Sequence, residues 1–187
     1  MKTIINEKNE IQIIKKSKFI SYIKKVYNTS DANNYLEEIK NIHNDATHVC
    51  YAYIIDNQIK FNDDGEPNST AGLPILEILR KNDLNYVLAI VVRYFGGIKL
   101  GSNGLIRAYS NSTKSLIDDN MKDIEIGYYI IIEEDYSKND LINYLLKDST
   151  IVKKDYSNKI YLEVIITKDV LEKLGNINFS IKEEVFL

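Results

Sequence analysis

Two short stretches concentrate the residues that could do chemistry. Asn62 to Gly72 reads NDDGEPNSTAG, in which the carboxylates of Asp63, Asp64 and Glu66 crowd one turn and the hydroxyls of Ser69 and Thr70 follow. Arg93 to Arg107 reads RYFGGIKLGSNGLIR, in which the cations Arg93, Lys99 and Arg107 surround Gly96 and Gly97 and precede a helix start at Ser102. Clustered carboxylates are the donor set of a hard divalent cation. Glycines ahead of a helix, with free N–H groups and cations near, can hold an anion. The spacing meets neither the Walker loop nor the dinucleotide fingerprint.

Each stretch also has a plainer reading. Asp64-Gly65 marks a sharp turn, Ser69 or Thr70 caps the next helix, and Pro74 falls in its first turn, where a missing N–H costs nothing. That accounts for the glycine and the hydroxyls but not for three like charges crowded together. Arg93 ends an apolar run and needs a partner, for which the three acids are the candidates. His48 and Cys50 share a strand face. A metal there would need two more ligands, so a hydrogen-bonded core histidine is the favoured reading, with no metal and no cofactor. Tyr94, beside Arg93, is the best of the tyrosines for stacking a base.

The elements that must position these residues are legible in the apolar periodicity. Strands are expected at Lys16–Val26, Thr47–Ile55 and Tyr86–Phe95, the last buried on both faces. Helices are expected at Asp31–His43, capped by Thr29 or Ser30, at Ala71–Lys81 and at Ser102–Ile117. A join near Glu125–Gly127 divides the chain into 1–126 and 127–187. The second part carries the sequence patterns β-α-β-β-α-β, those of a ferredoxin-like module. The fold class is therefore α+β. The connections place the two stretches across one cleft, toward the Arg93 end of the central strand, with the acids belonging to it.

Composition bounds the rest. The 187 residues are 44% apolar and 27% charged, a globular balance. The formal charge is −3, which argues against the basic field of a nonspecific nucleic-acid binder. Residues 127–187 supply all of it, with 8 basic against 11 acidic side chains. One cysteine forms no internal disulfide, and no run approaches the length of a membrane span or a signal core. The expectation is a cytoplasmic protein with no membrane partner; oligomeric state leaves no trace in the sequence.

HVCYAY at His48–Tyr53, DDGEPNSTAG at Asp63–Gly72 and VVRYFGGIKLGSNGLIRAY at Val91–Tyr109 together resemble the IMPACT family, with its bacterial YigZ-like members. One departure stands out: Asn103 replaces the first of two family glycines, at a position where Asn would tolerate a left-handed backbone. The resemblance implies an N-terminal domain similar to the second domain of a small-subunit ribosomal protein, and a ferredoxin-like C-terminal domain of elongation-factor type. It implies a role in translation regulation, because eukaryotic relatives compete for a protein that activates a stress-responsive initiation-factor kinase. The favoured function is a noncatalytic regulator binding RNA, the ribosome or a translation-control protein. The alternatives are a metal-assisted phosphoester hydrolase using the acidic loop, and a protein-interaction module without nucleic-acid binding.

Overall fold

A computed structural model describes residues 1–186, a mixture of α and β structure that divides into two compact units, Met1–Asp123 and Ile124–Leu187. The first unit runs β1 (Lys2–Ile4), β2 (Lys8–Ile14), β3 (Ser17–Lys25), α1 (Thr29–Ile42), β4 (His48–Ile55), β5 (Gln58–Asn62), α2 (Gly72–Lys81), β6 (Val87–Tyr94), α3 (Ser102–Ile117) and β7 (Met121–Asp123). Five strands form one antiparallel sheet in the order β2-β3-β6-β4-β5, and β1 pairs with β7 apart from it.

Strand alternation sorts the side chains onto two layers. Val87, Ala89 and Val91 of β6 share a face with Cys50, Ala52 and Ile54 of β4 and with Phe19 and Ile23 of β3. That face is covered by Ile75, Leu76 and Leu79 of α2 and by Leu105, Tyr109 and Leu116 of α3. Leu88, Ile90 and Val92 point the other way, as do Val49, Tyr51 and Tyr53; α1 packs against β4 and buries Tyr35, Leu36 and Ile39. Central β6 is buried on both sides for this reason.

Several local expectations are corrected. Helix α1 is capped by Asn28, whose Oδ1 accepts from Asp31 N at 2.9 Å, one residue ahead of the expected Thr29 or Ser30. Strands β1, β2, β5 and β7 are additional to the expected ones. The β2–β3 turn is Lys15-Lys16, both at positive φ (46° and 67°), and so lacks the Asn-Gly signal of such hairpins. Edge strand β5 has every residue exposed, including Ile59 and Phe61, which alternate onto one of its faces.

The second unit runs β8 (Ile126–Glu134), a 3-10 turn at Tyr136–Lys138, α4 (Asn139–Leu145), β9 (Thr150–Asp155), β10 (Ile160–Thr167), α5 (Lys168–Lys173) and β11 (Phe179–Phe186). Its antiparallel sheet has the order β11-β8-β10-β9. Ile130, Ile132, Leu162, Val164 and Ile166 form a core with Ile142, Leu146, Leu174 and Ile177. No helix among the described residues is long and apolar enough to cross a membrane.

Candidate functional site

The site lies in the first unit, at the end of the sheet where β6 terminates. Phe19, Arg93 and His48 stand side by side there, because Arg93 pairs with Phe19 of β3 on one side and with His48 of β4 on the other. All three point toward α2 and α3, on the same face as the Cys50–Val91 layer. Arg93 is 5% exposed, and its guanidinium lies 5.5 Å from the ring centroids of both Phe19 and Phe95.

A buried cation needs a buried anion, and Glu66 supplies it. Arg93 Nη1 donates to Glu66 Oε1 at 2.6 Å, and the Tyr109 hydroxyl donates to the same oxygen at 2.8 Å. Arg93 Nη2 reaches Ser17 Oγ at 3.4 Å, and Gly96 N donates to that hydroxyl at 3.2 Å. Burial holds the Tyr109 phenol far above its ordinary range, with Cys50 and Glu66 adding to the effect, so it stays a donor. Glu66 Oε2 accepts no hydrogen bond among the described residues; His48 Nε2 lies 3.8 Å from it. His48 Nδ1 meets the Asp64 carbonyl at 2.7 Å, so Nδ1 carries the proton and Nε2 is left facing Glu66.

Above this floor is a cavity of about 410 Å³. Thr47, His48, Glu66 and Pro67 line it on one side, Arg93 lies beneath, and Phe95, Lys99, Leu100, Gly101, Ser102 and Leu105 complete it. The two stretches singled out in the sequence therefore do meet at one cleft.

Not every candidate belongs there. The Asp63 carboxylate is occupied by backbone: Oδ2 accepts from Ser69 N at 2.8 Å, and Oδ1 from Ala71 N at 3.0 Å and Gly72 N at 2.8 Å. It thereby caps α2 from nine residues upstream, a role expected of Ser69 or Thr70. Ser69 instead sits at φ 59°, and Thr70 Oγ1 donates to the Pro67 carbonyl at 2.6 Å. Asp64 Oδ2 accepts from Val49 N at 2.6 Å, which ties the turn to β4. Backbone amides thus compensate the crowded acids, and only Glu66 reaches the cleft. Among the described residues no group of three His, Cys, Asp or Glu side chains is placed to hold a metal. The two aspartates that a divalent ion would need are turned to the main chain.

Tyr94 is also displaced. It follows Arg93 by one residue and so points to the opposite face, where its hydroxyl meets His43 Nδ1 at 2.9 Å and Asp45 Oδ1 at 3.1 Å. Arg107 is exposed on α3 and does not line the cavity. Gly96 and Gly97 shape the loop without lining it. A Cβ on Gly96 would come within 2.0 Å of the Lys16 backbone, whereas Gly97 has open space and φ 83°. Asn103 lies inside α3 in ordinary helical backbone, so the left-handed conformation expected of it is not needed. Cys50 is buried and donates to the Asp63 carbonyl at 3.0 Å, and burial pushes its thiol well up. The apolar wall of Pro67, Phe95, Leu100 and Leu105 went unread in the sequence. The i, i+4 spacing of Leu105 and Tyr109 is its only local signal; Ser17, 76 residues from Arg93, has none.

The Impact N-terminal domain family matches residues 15–117, the segment holding every residue of the cleft. The IMPACT family member YvyE of Bacillus subtilis is 50% identical over 103 residues, covering 54% of this chain and 48% of its own. An IMPACT family member of Haemophilus influenzae is 34% identical over 171 residues, covering 87% of this chain and 83% of its own. A crystal structure of a hypothetical protein superposes with a TM-score of 0.66 at 28% identity, covering 97% of both chains. The alignment thus spans about half of the B. subtilis relative and most of the H. influenzae one. On the family match to more than half of its length and on the near full-length relative, this chain belongs to the IMPACT family.

Proposed function

We propose that the chain is a noncatalytic, cytoplasmic regulator linked to translation, and that the cleft of the first unit is where it binds RNA, a ribosomal surface or a translation-control protein. The observation that carries this reading is the state of the charged groups around the cleft. Glu66 and Arg93 neutralise each other, Asp63 and Asp64 are committed to backbone amides, and the Cys50 thiol is buried and protonated. A cleft built this way offers fixed donors and acceptors but no nucleophile activated by a base. The fold supports the same reading. The β-α-β-β-α-β order of the second unit, with its central strands β8 and β10, fits a ferredoxin-like module, which the family resemblance links to elongation factors. The family membership brings the translational association.

Co-sedimentation of the purified full chain with ribosomal particles on sucrose gradients tests this. The chain should travel with the particles at low salt and leave them at high salt, and Lys99→Glu should abolish the association. A chain that stays at the top of the gradient under every condition would refute the ribosomal and RNA forms of the reading. Mg²⁺-dependent hydrolysis of a generic phosphodiester, lost in Glu66→Gln, would restore the hydrolase reading.

A further inference from the structure

We propose that the cleft seats a single nucleotide, with its phosphate at the start of α3, its base against Phe95, and the base's hydrogen-bonding edge on Glu66 and Arg93. This rests on the binding role proposed above and names what that role recognises.

The rim is built for an anion. Helix α3 has 16 residues and begins after Gly101, at φ 73°, with no side chain capping it. The first N–H groups of such a helix lack intrahelical partners and carry the positive end of its dipole. Lys99 lines the cavity two residues earlier, exposed and without a carboxylate partner among the described residues.

The floor makes a second, independent demand. Arg93 is more than nine-tenths buried and lines the cavity, yet its Nε has no partner. Of five guanidinium donors, two are engaged. Glu66 also lines the cavity, with a side chain only 3% exposed and Oε2 accepting nothing. Unfilled donors and an unfilled acceptor therefore stand side by side beneath the cavity, and the pair is neutral as a whole. Its complement is a neutral group presenting an acceptor next to an N–H donor, as the lactam edge of guanine or uracil does. Adenine and cytosine also carry an N–H donor beside an acceptor, but in the reverse order, so a ring held in one orientation by its phosphate and by Phe95 would set their donor against Arg93 and their acceptor against Glu66.

The walls suit the ring between these ends. Phe95 is 46% exposed, and Pro67, Leu100 and Leu105 extend the apolar lining. Bases of every kind stack on such a ring, while the polar edge confers the preference. The volume of about 410 Å³ lies within the usual range for a small-molecule site and leaves little room for a second base.

Calorimetric titration of the full chain with GMP, UMP, AMP, CMP, guanosine and inorganic phosphate tests the assignment. GMP and UMP should bind at least about tenfold more tightly than AMP, CMP, guanosine or phosphate. Lys99→Ala, at an exposed position, should weaken GMP about tenfold without changing the melting temperature, and Phe95→Ala, which also uncovers Arg93, should weaken it about as much while the chain stays folded by circular dichroism. A short single-stranded oligonucleotide that outcompetes GMP assigns the seat to a strand; equal affinity assigns it to a free nucleotide. Inorganic phosphate binding as tightly as GMP, or GMP binding that ignores both substitutions, would overturn the proposal. So would a chain that travels with ribosomal particles yet binds no nucleotide, in which case the translational reading survives. Nucleotide binding without such association would leave this assignment standing and remove the ribosomal one.

Discussion

Arg93 shows how one residue can hold both the stability and the chemistry of a site. Its charge sits in an apolar layer and is tolerated because Glu66, Tyr109 and Ser17 are in place around it. Arg93→Ala should lower stability by about 3–5 kcal/mol, since it strands a buried carboxylate. Pairing it with Glu66→Gln should recover much of that loss in urea denaturation, because the uncompensated charge is then gone. A double mutant no more stable than Arg93→Ala would contradict this account. On the opposite face, His43 is held between the hydroxyls of Tyr22 at 2.7 Å and Tyr94 at 2.9 Å. Burial lowers its pKa below 6.5, nearby Lys18 lowers it further, and Asp45 opposes both. The unfolded chain therefore binds the proton more tightly than the folded one. Stability contributed by neutral His43 should be complete above about pH 6.5 and fall as pH drops from there to the lowered folded value. His43→Gln should flatten that segment of the stability profile, and an unchanged slope would show that other groups control it.

At the scale of elements, the cleft depends on two turns that lean on each other. The Gly96 backbone packs so closely on Lys16 and Ser17 that any side chain must displace one of them. Gly96→Ala should therefore cost more than Gly97→Ala, which meets no atoms and carries only the left-handed penalty of about 1–2 kcal/mol. Chemical denaturation of the two variants measures the difference, and equal costs would mean that the close approach is relaxed in solution. The neighbouring hairpin turn places Lys15 and Lys16 in backbone that disfavours a Cβ. Lys15→Asn with Lys16→Gly should raise stability by about 1 kcal/mol, read as an upward shift in the denaturation midpoint. The capping of α2 by Asp63 belongs to the same scale. A loop carboxylate nine residues ahead of Gly72 collects three amides, which no rule confined to the first helical turn would find.

For the whole molecule, the division after Asp123 is itself open to test. We propose that residues 1–123 fold alone, because the core of the first unit and the β1–β7 pairing lie within them. That fragment should unfold in one cooperative transition by circular dichroism. A shorter one ending at residue 118 should be less stable, since it loses β7 and the Asn120 bonds to Asn6. A fragment 1–123 without cooperative unfolding would show that the second unit is needed. Sequence alone settles what is local in this chain. Apolar periodicity places the three helices and the main strands of the first unit to within a residue or two. The two-residue period of a strand dictates that Arg93 and Tyr94 of β6 face opposite ways. The motifs around Asp63 and Gly96 mark where the backbone departs from regular form. Which polar groups remain for function is set instead by tertiary packing. Backbone amides of α2 and β4 claim Asp63 and Asp64, while Glu66, one residue past Gly65, turns inward to Arg93. The competition among three neighbouring carboxylates is settled by distant partners, Ser17, Tyr109 and the start of α2, whose positions depend on how the layers pack.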